Sequence, residues 1–153
     1  MRIAHHAVAQ GRSRLVTIGL GSCVAITIHD RMAKVGGLAH VLLPDASLGR
    51  GIENRARYAS SAVPLLLEEM QALGASGPFS ASLVGGAALF GPLLAFGGSV
   101  GARNVVAARA ALAAARVPVL GEDVGGESGR TVSFDVSTGS VKVKSVRGGE
   151  RDL

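Results

Sequence analysis

Two or three β-type runs follow one another at each end of this chain, with helix-like stretches between, and that order limits its folds more than any other feature. Near the start, Leu15 to Ile18 and Cys23 to His29 are rich in Val, Ile and Thr, with Gly19-Leu20-Gly21-Ser22 as a turn between them. Lys34 to Leu43 is a third apolar run, closed by Pro44, and the polar segment Asp45 to Gly51 reads as an exposed loop. At the other end, Val117 to Val124 and Thr131 to Val136 read as strands. Ser137-Thr138-Gly139-Ser140 turns the second into Val141 to Val146, where Val141 and Val143 alternate with Lys142 and Lys144.

Between these blocks the period changes from 2 to 3.6. Val63, Leu66, Leu67, Met70 and Leu73 share one face of a helix stopped by Gly74, with Pro64 either near its start or kinking a longer one. Phe79 to Val84 reads as a strand ending at Gly85-Gly86. Asn104 reads as the N-cap of a helix running to Arg116, with Val105, Ala108, Leu112 and Ala115 on one face and Pro118 beyond.

Helices are too few for a doubly wound βαβ array. The pattern predicts an α/β fold, a layered sandwich of mixed β-strands flanked by helices. It occupies a single domain over residues 1–153, with residues 1–12 and 148–153 as flexible ends. Aromatics are only 3% of the chain, so Val, Leu, Ile and Ala must build the core. The apolar stretch from Leu83 to Val100 is broken by Gly and Pro and reads as core and turns, not as a membrane span. No signal-peptide pattern opens the chain and one cysteine makes no internal disulfide, which predicts the cytoplasm. The net charge of +5 comes from dispersed basic residues, and so few aromatics argue against nucleic acid.

The single cysteine sits where a glycine-containing turn meets a strand, a place from which a thiol projects beside backbone N–H groups, here those of Gly21 and Ser22, that a sheet does not claim. His40 follows seventeen residues later on the next apolar run. Pairing of the two runs would lay its imidazole over the thiol, as nucleophile and base of a hydrolase, and Thr17 would then orient the ring. Each has a plainer reading: a buried small hydrophobe, a satisfied core histidine and a β-former. His5, His6 and His29 have no metal-ligand spacing, and Gly85-Gly86 lacks the Lys-Ser/Thr of a phosphate loop, so close packing is the better use of those glycines. No metal or cofactor is expected. Gly125 to Arg130 reads most simply as a turn, from which Arg130, before a strand, can also touch a carboxylate or the chain's tail.

Thr17-Ile18-Gly19-Leu20-Gly21-Ser22-Cys23-Val24, then Asp30, Val35-Gly36-Gly37-Leu38-Ala39-His40 and Leu43-Pro44, resembles the signature of the CheD chemoreceptor glutamine deamidases. Tyr58, Pro64-Leu65-Leu66, Gly85-Gly86-Ala87, Val100-Gly101-Ala102-Arg103-Asn104, Asp123-Val124-Gly125-Gly126, Gly129-Arg130 and Thr138-Gly139 continue it in order. Ser60 and Ser61 depart from it, standing where an acidic residue is common, as do Ala88 and Leu89, where polar or bulky residues are usual. The resemblance implies a layered α/β sandwich with Cys23 as nucleophile, His40 as catalytic histidine and Thr17 as its associated threonine. It further implies glutamine side chains of methyl-accepting chemotaxis receptors as substrate, a side activity on receptor methyl esters and a CheC-type phosphatase as partner. Such chemistry calls for an accessible Cys23 thiol of lowered pKa in a shallow site. The rival reading is a non-catalytic regulatory module that docks on receptors or on the phosphatase.

Overall fold

A computed structural model describes residues 1–48, 53–88 and 98–153. The strands are β1 (His6–Gln10), β2 (Arg14–Leu20), β3 (Val24–Asp30), β4 (Val35–Val41), β5 (Phe79–Gly85), β6 (Val119–Val124), β7 (Arg130–Asp135), β8 (Val141–Ser145) and β9 (Glu150–Asp152). Two helices, α1 (Ala59–Ala72) and α2 (Val100–Ala114), fall between them. One sheet has the order β1-β4-β3-β5-β6 and the other β2-β7-β8-β9. Among the paired strands of the described residues β5–β6 is the parallel pair, with α2 between the two in the chain. The fold is the α/β layered sandwich that the strand order predicts.

The central strands β3 and β4 are buried at every position, as expected of strands covered on both faces. Alternation divides their side chains. Val24, Ile26, Ile28, Val35, Ala39 and Val41 join a core with Val63, Leu66 and Met70 of α1 and Val105, Ala108 and Leu112 of α2. Cys23, Ala25 and Leu38 face the other way, into a second core with Val132, Phe134 and Val143 of the second sheet. Gly36 lets that sheet close, since a Cβ there would lie 2.6 Å from the Phe134 ring.

Several segments differ from expectation. Both chain ends, read as flexible, contain strands: β1 pairs with β4 and β9 with β8. His6–Gln10 is a half-buried edge strand without a run of β-branched residues, which is why its pattern is weak. Helix α1 begins before Pro64 and contains it. Helix α2 begins a full turn before Asn104: Ser99 is its N-cap, accepting from the Ala102 N–H at 3.2 Å, and Asn104 lies inside the helix, buried. Both residues carry capping side chains, and only the earlier one meets an unpaired first-turn N–H. Residues 89–97 of the glycine-broken apolar stretch, including Leu89, and 49–51 of the Asp45 to Gly51 loop lie outside the described residues; a short 3-10 turn occupies Ala46–Leu48.

One carboxylate ties the two sheets and another ties loops within the first. Asp123 of β6 receives Arg130 of β7 at 2.9 Å and Arg151 of β9 at 2.6 Å, so Arg130 meets a carboxylate and the tail shares it. Asp30, fully buried at the end of β3, accepts four backbone N–H groups: Met32 and Ala33 on Oδ1 at 2.9 Å, Ser76 and Gly77 on Oδ2 at 2.9 and 2.8 Å. Burial alone would raise this carboxyl, but the four donors outweigh it and hold it below its ordinary value. Asp30→Asn sets an NH2 group against two of those donors and is expected to cost about 2–3 kcal/mol in urea unfolding. A loss under about 0.5 kcal/mol would mean that the β3–β4 turn and the start of β5 hold without it.

Candidate functional site

The β3–β4 register decides what Cys23 can meet. Val24 stands opposite Val41 and Ala25 opposite His40, so Cys23, one residue before Val24, lies diagonal to His40. Cys23 and Ala25 share the face toward the second sheet, and His40 opposite Ala25 shares it too. Diagonal neighbours have Cβ atoms roughly 7 Å apart or less, within reach of a ring. Thr17 arrives from the other sheet: on β2, opposite Val132, it is fully buried with Oγ1 2.7 Å from His40 Nδ1. Hydroxyl and imidazole thus meet between the sheets, on the face that also carries the Cys23 thiol.

The hydroxyl's second contact fixes the ring's tautomer. Thr17 has one proton and donates it to the Met1 carbonyl at 3.2 Å, so toward His40 it accepts, from an Nδ1–H. Neutral His40 therefore keeps its lone pair on Nε2. That nitrogen is buried without a hydrogen-bond partner, an open base on the ring edge away from Thr17.

Electrostatics correct one expectation. Cys23 is only 5% exposed, and burial raises its thiol above the ordinary value, though the residue's own N–H partly offsets this. Burial likewise drives His40 down to about 4, with the amino-terminal ammonium and His5 adding to the effect. The resting pair is neutral thiol and neutral imidazole, in a recessed site, and not an accessible thiol of lowered pKa in a shallow one. A spacing argument sees the imidazole beside the thiol but not the sheet that closes over both.

The turn before Cys23 is held by its carbonyls. Ala87 N–H donates to Gly21 O and Gly86 N–H to Cys23 O, both at 2.8 Å, and Asn104 Nδ2 donates to Ser22 O at 2.9 Å. A Cβ on Gly85 would come within 2.3 Å of Cys23 O, and one on Gly86 within 2.4 Å of Val105. The paired glycines serve close packing, as their sequence context suggests. Asn104 escaped the sequence reading because a capping residue ahead of an apolar face looks like a helix start. Among the described residues, no three His, Cys, Asp or Glu side chains cluster as a metal site, and no helix is long and apolar enough to cross a membrane.

A thiol, a ring nitrogen with a free lone pair on the same face and a hydroxyl bonded to the ring's other nitrogen are groups from which a cysteine nucleophile system can be built, set here in a layered α/β sandwich. Known proteins make the class specific. A family model described as CheD chemotactic sensory transduction matches residues 42–145. A probable chemoreceptor glutamine deamidase CheD of Clostridium kluyveri is 40% identical, over 99% of this chain and 94% of its own. One from Pyrococcus abyssi is 42% identical over 97% and 91%, and the chemoreceptor glutamine deamidase CheD of Halalkalibacterium halodurans 40% over 90% and 86%. The chain belongs to the CheD family.

The depressed His40 value has a consequence for stability. The unfolded chain takes up its proton near 6.5, the folded chain only near 4, so His40 leaves stability whole above 6.5 and withdraws it as pH falls to 4. Over that interval the wild type is expected to lose about 3 kcal/mol more than His40→Asn, read from urea midpoints at each pH. Parallel pH profiles would show that His40 titrates as an ordinary histidine.

Proposed function

We propose that this protein is a cytoplasmic chemoreceptor glutamine deamidase that uses Cys23, His40 and Thr17 on receptor glutamine side chains. The observation that carries the reading is the open Nε2 of His40 on the face it shares with Cys23, its Nδ1 held by Thr17. The relatives' names supply the substrate class.

His40 Nε2 takes the thiol proton as sulfur attacks the carboxamide carbon, and the N–H groups of Gly21 to Cys23 hold the oxyanion. The imidazolium then protonates the amide nitrogen, the C–N bond breaks and ammonia leaves. Water gives a proton to Nε2 and attacks the thioester, the sulfur departs with that proton, and glutamate remains. Depth selects the substrate: a slender carboxamide can enter a recess that leaves Cys23 only 5% exposed, whereas peptide bonds in a helical bundle are locked in i to i−4 hydrogen bonds. The family resemblance adds hydrolysis of receptor methyl esters at the same site and association with a CheC-type phosphatase.

Incubation with a receptor cytoplasmic domain should convert particular glutamines to glutamate, a gain of about one mass unit each, with ammonia released; methyl-ester loss is a far larger mass change. Cys23→Ala should abolish both products. Unchanged conversion by Cys23→Ala would remove the Cys–His reading, no conversion by the wild type would remove the enzyme reading, and equal rates on free glutamine would remove the receptor.

Thr17 should act through His40. Thr17→Val, which keeps shape but offers no acceptor to Nδ1–H, is expected to lower kcat about 10- to 100-fold, while Thr17→Ser keeps much of it. Full activity of Thr17→Val would return Thr17 to the core alone.

A further inference from the structure

We propose that Asn104 is the positioning residue that fixes Cys23 against His40. The proposal rests on the Cys–His reading above and deepens it. Asn104 is fully buried on α2, and its Nδ2 donates both to Ser22 O at 2.9 Å and to Leu42 O at 3.0 Å. Ser22 precedes the nucleophile, and Leu42 lies two residues past the base. Val24 and Val41 form the last registered pair of the β3–β4 ladder, so Cys23 and Leu42 lie just beyond it. One amide nitrogen spans the two strand ends where the ladder stops.

The amide can face only one way. Both partners are carbonyls, so the NH2 side must meet them, and Oδ1 is left buried without a partner. An apolar side chain could fill the space without that unsatisfied oxygen. What it could not do is join Ser22 to Leu42.

The tether is stiff because α2 touches the backbone beneath it. A Cβ on Gly101 would lie 2.5 Å from Gly86 O, so the first turn of α2 rests directly on the segment whose Gly86 and Ala87 N–H groups hold Cys23 and Gly21. Helix, glycine segment and nucleophile turn form one unit. Without the Asn104 bonds the strand ends separate, and a diagonal thiol and imidazole have little reach to lose. Being wholly buried, Asn104 does not touch substrate, so its effect belongs in kcat.

The test compares wild type, Asn104→Ala, His40→Asn, the double variant, Leu112→Ala and Cys23→Ala. Readouts are urea midpoint, kcat and KM on a receptor cytoplasmic domain, and the pH profile of Cys23 alkylation by iodoacetamide. Asn104→Ala should lower kcat about 100-fold, the scale of a misplacement near 1 Å, with KM within about threefold. Its alkylation profile should match that of His40→Asn, and the double variant should be no slower than either single one. Leu112→Ala, buried two turns along the same helix, should lose stability and keep kcat. Asn104→Ser, which retains one donor, should give an intermediate kcat and stands in if the Ala variant does not fold. A folded Asn104→Ala with kcat within twofold of wild type, or losses additive with His40→Asn, would overturn the proposal. Deamidation surviving Cys23→Ala would instead remove the Cys–His reading, and this proposal with it.

Discussion

The register between β3 and β4 is the constraint on which the rest depends. Seven consecutive pairs, from Val24 with Val41 to Asp30 with Val35, decide which side chains meet the helices and which meet the second sheet. A slip of β3 by one residue would turn Ile26 and Ile28 out of the helical core and turn Cys23 and Ala25 away from the face that carries His40. The same pairing that sorts two cores therefore places the imidazole and thiol on one face.

Glycine makes the layers close enough for that alignment to matter. Gly36 admits the Phe134 ring from the second sheet, and Gly85 admits the Cys23 carbonyl. With a core of aliphatic side chains and few aromatics, contact comes from backbones approaching each other more than from bulk filling space. The site lies between β2, the β3–β4 pair and the β5 end.

Much of this was legible in the sequence. The runs Cys23 to His29, Lys34 to Leu43 and Val141 to Val146 announce strands, and pairing of the first two sets Cys23 and His40 on one face, because adjacent antiparallel strands of known period leave few alternatives; Thr17 reaches His40 from the other sheet, which spacing does not foretell. Three things were hidden. The strands His6–Gln10 and Glu150–Asp152 owe their pairing to partners far away in sequence, and local pattern is silent about those. Asn104 looked like a cap because a side chain's partner depends on where the helix starts. The depressed His40 and raised Cys23 values follow from burial by the second sheet, a tertiary fact no window of residues contains. The family model's match begins at residue 42, downstream of Thr17, Cys23 and His40, so that match and the site are independent observations.

Neutrality of the resting pair has an implication for signalling. A thiol raised above its ordinary value and an imidazole near 4 both stand far from the acidity of a living cell, so neither changes state as internal pH drifts by a few tenths. A modifying site built this way would be deaf to protons. The pace of its reaction would follow how the substrate presents its side chains and not the internal pH.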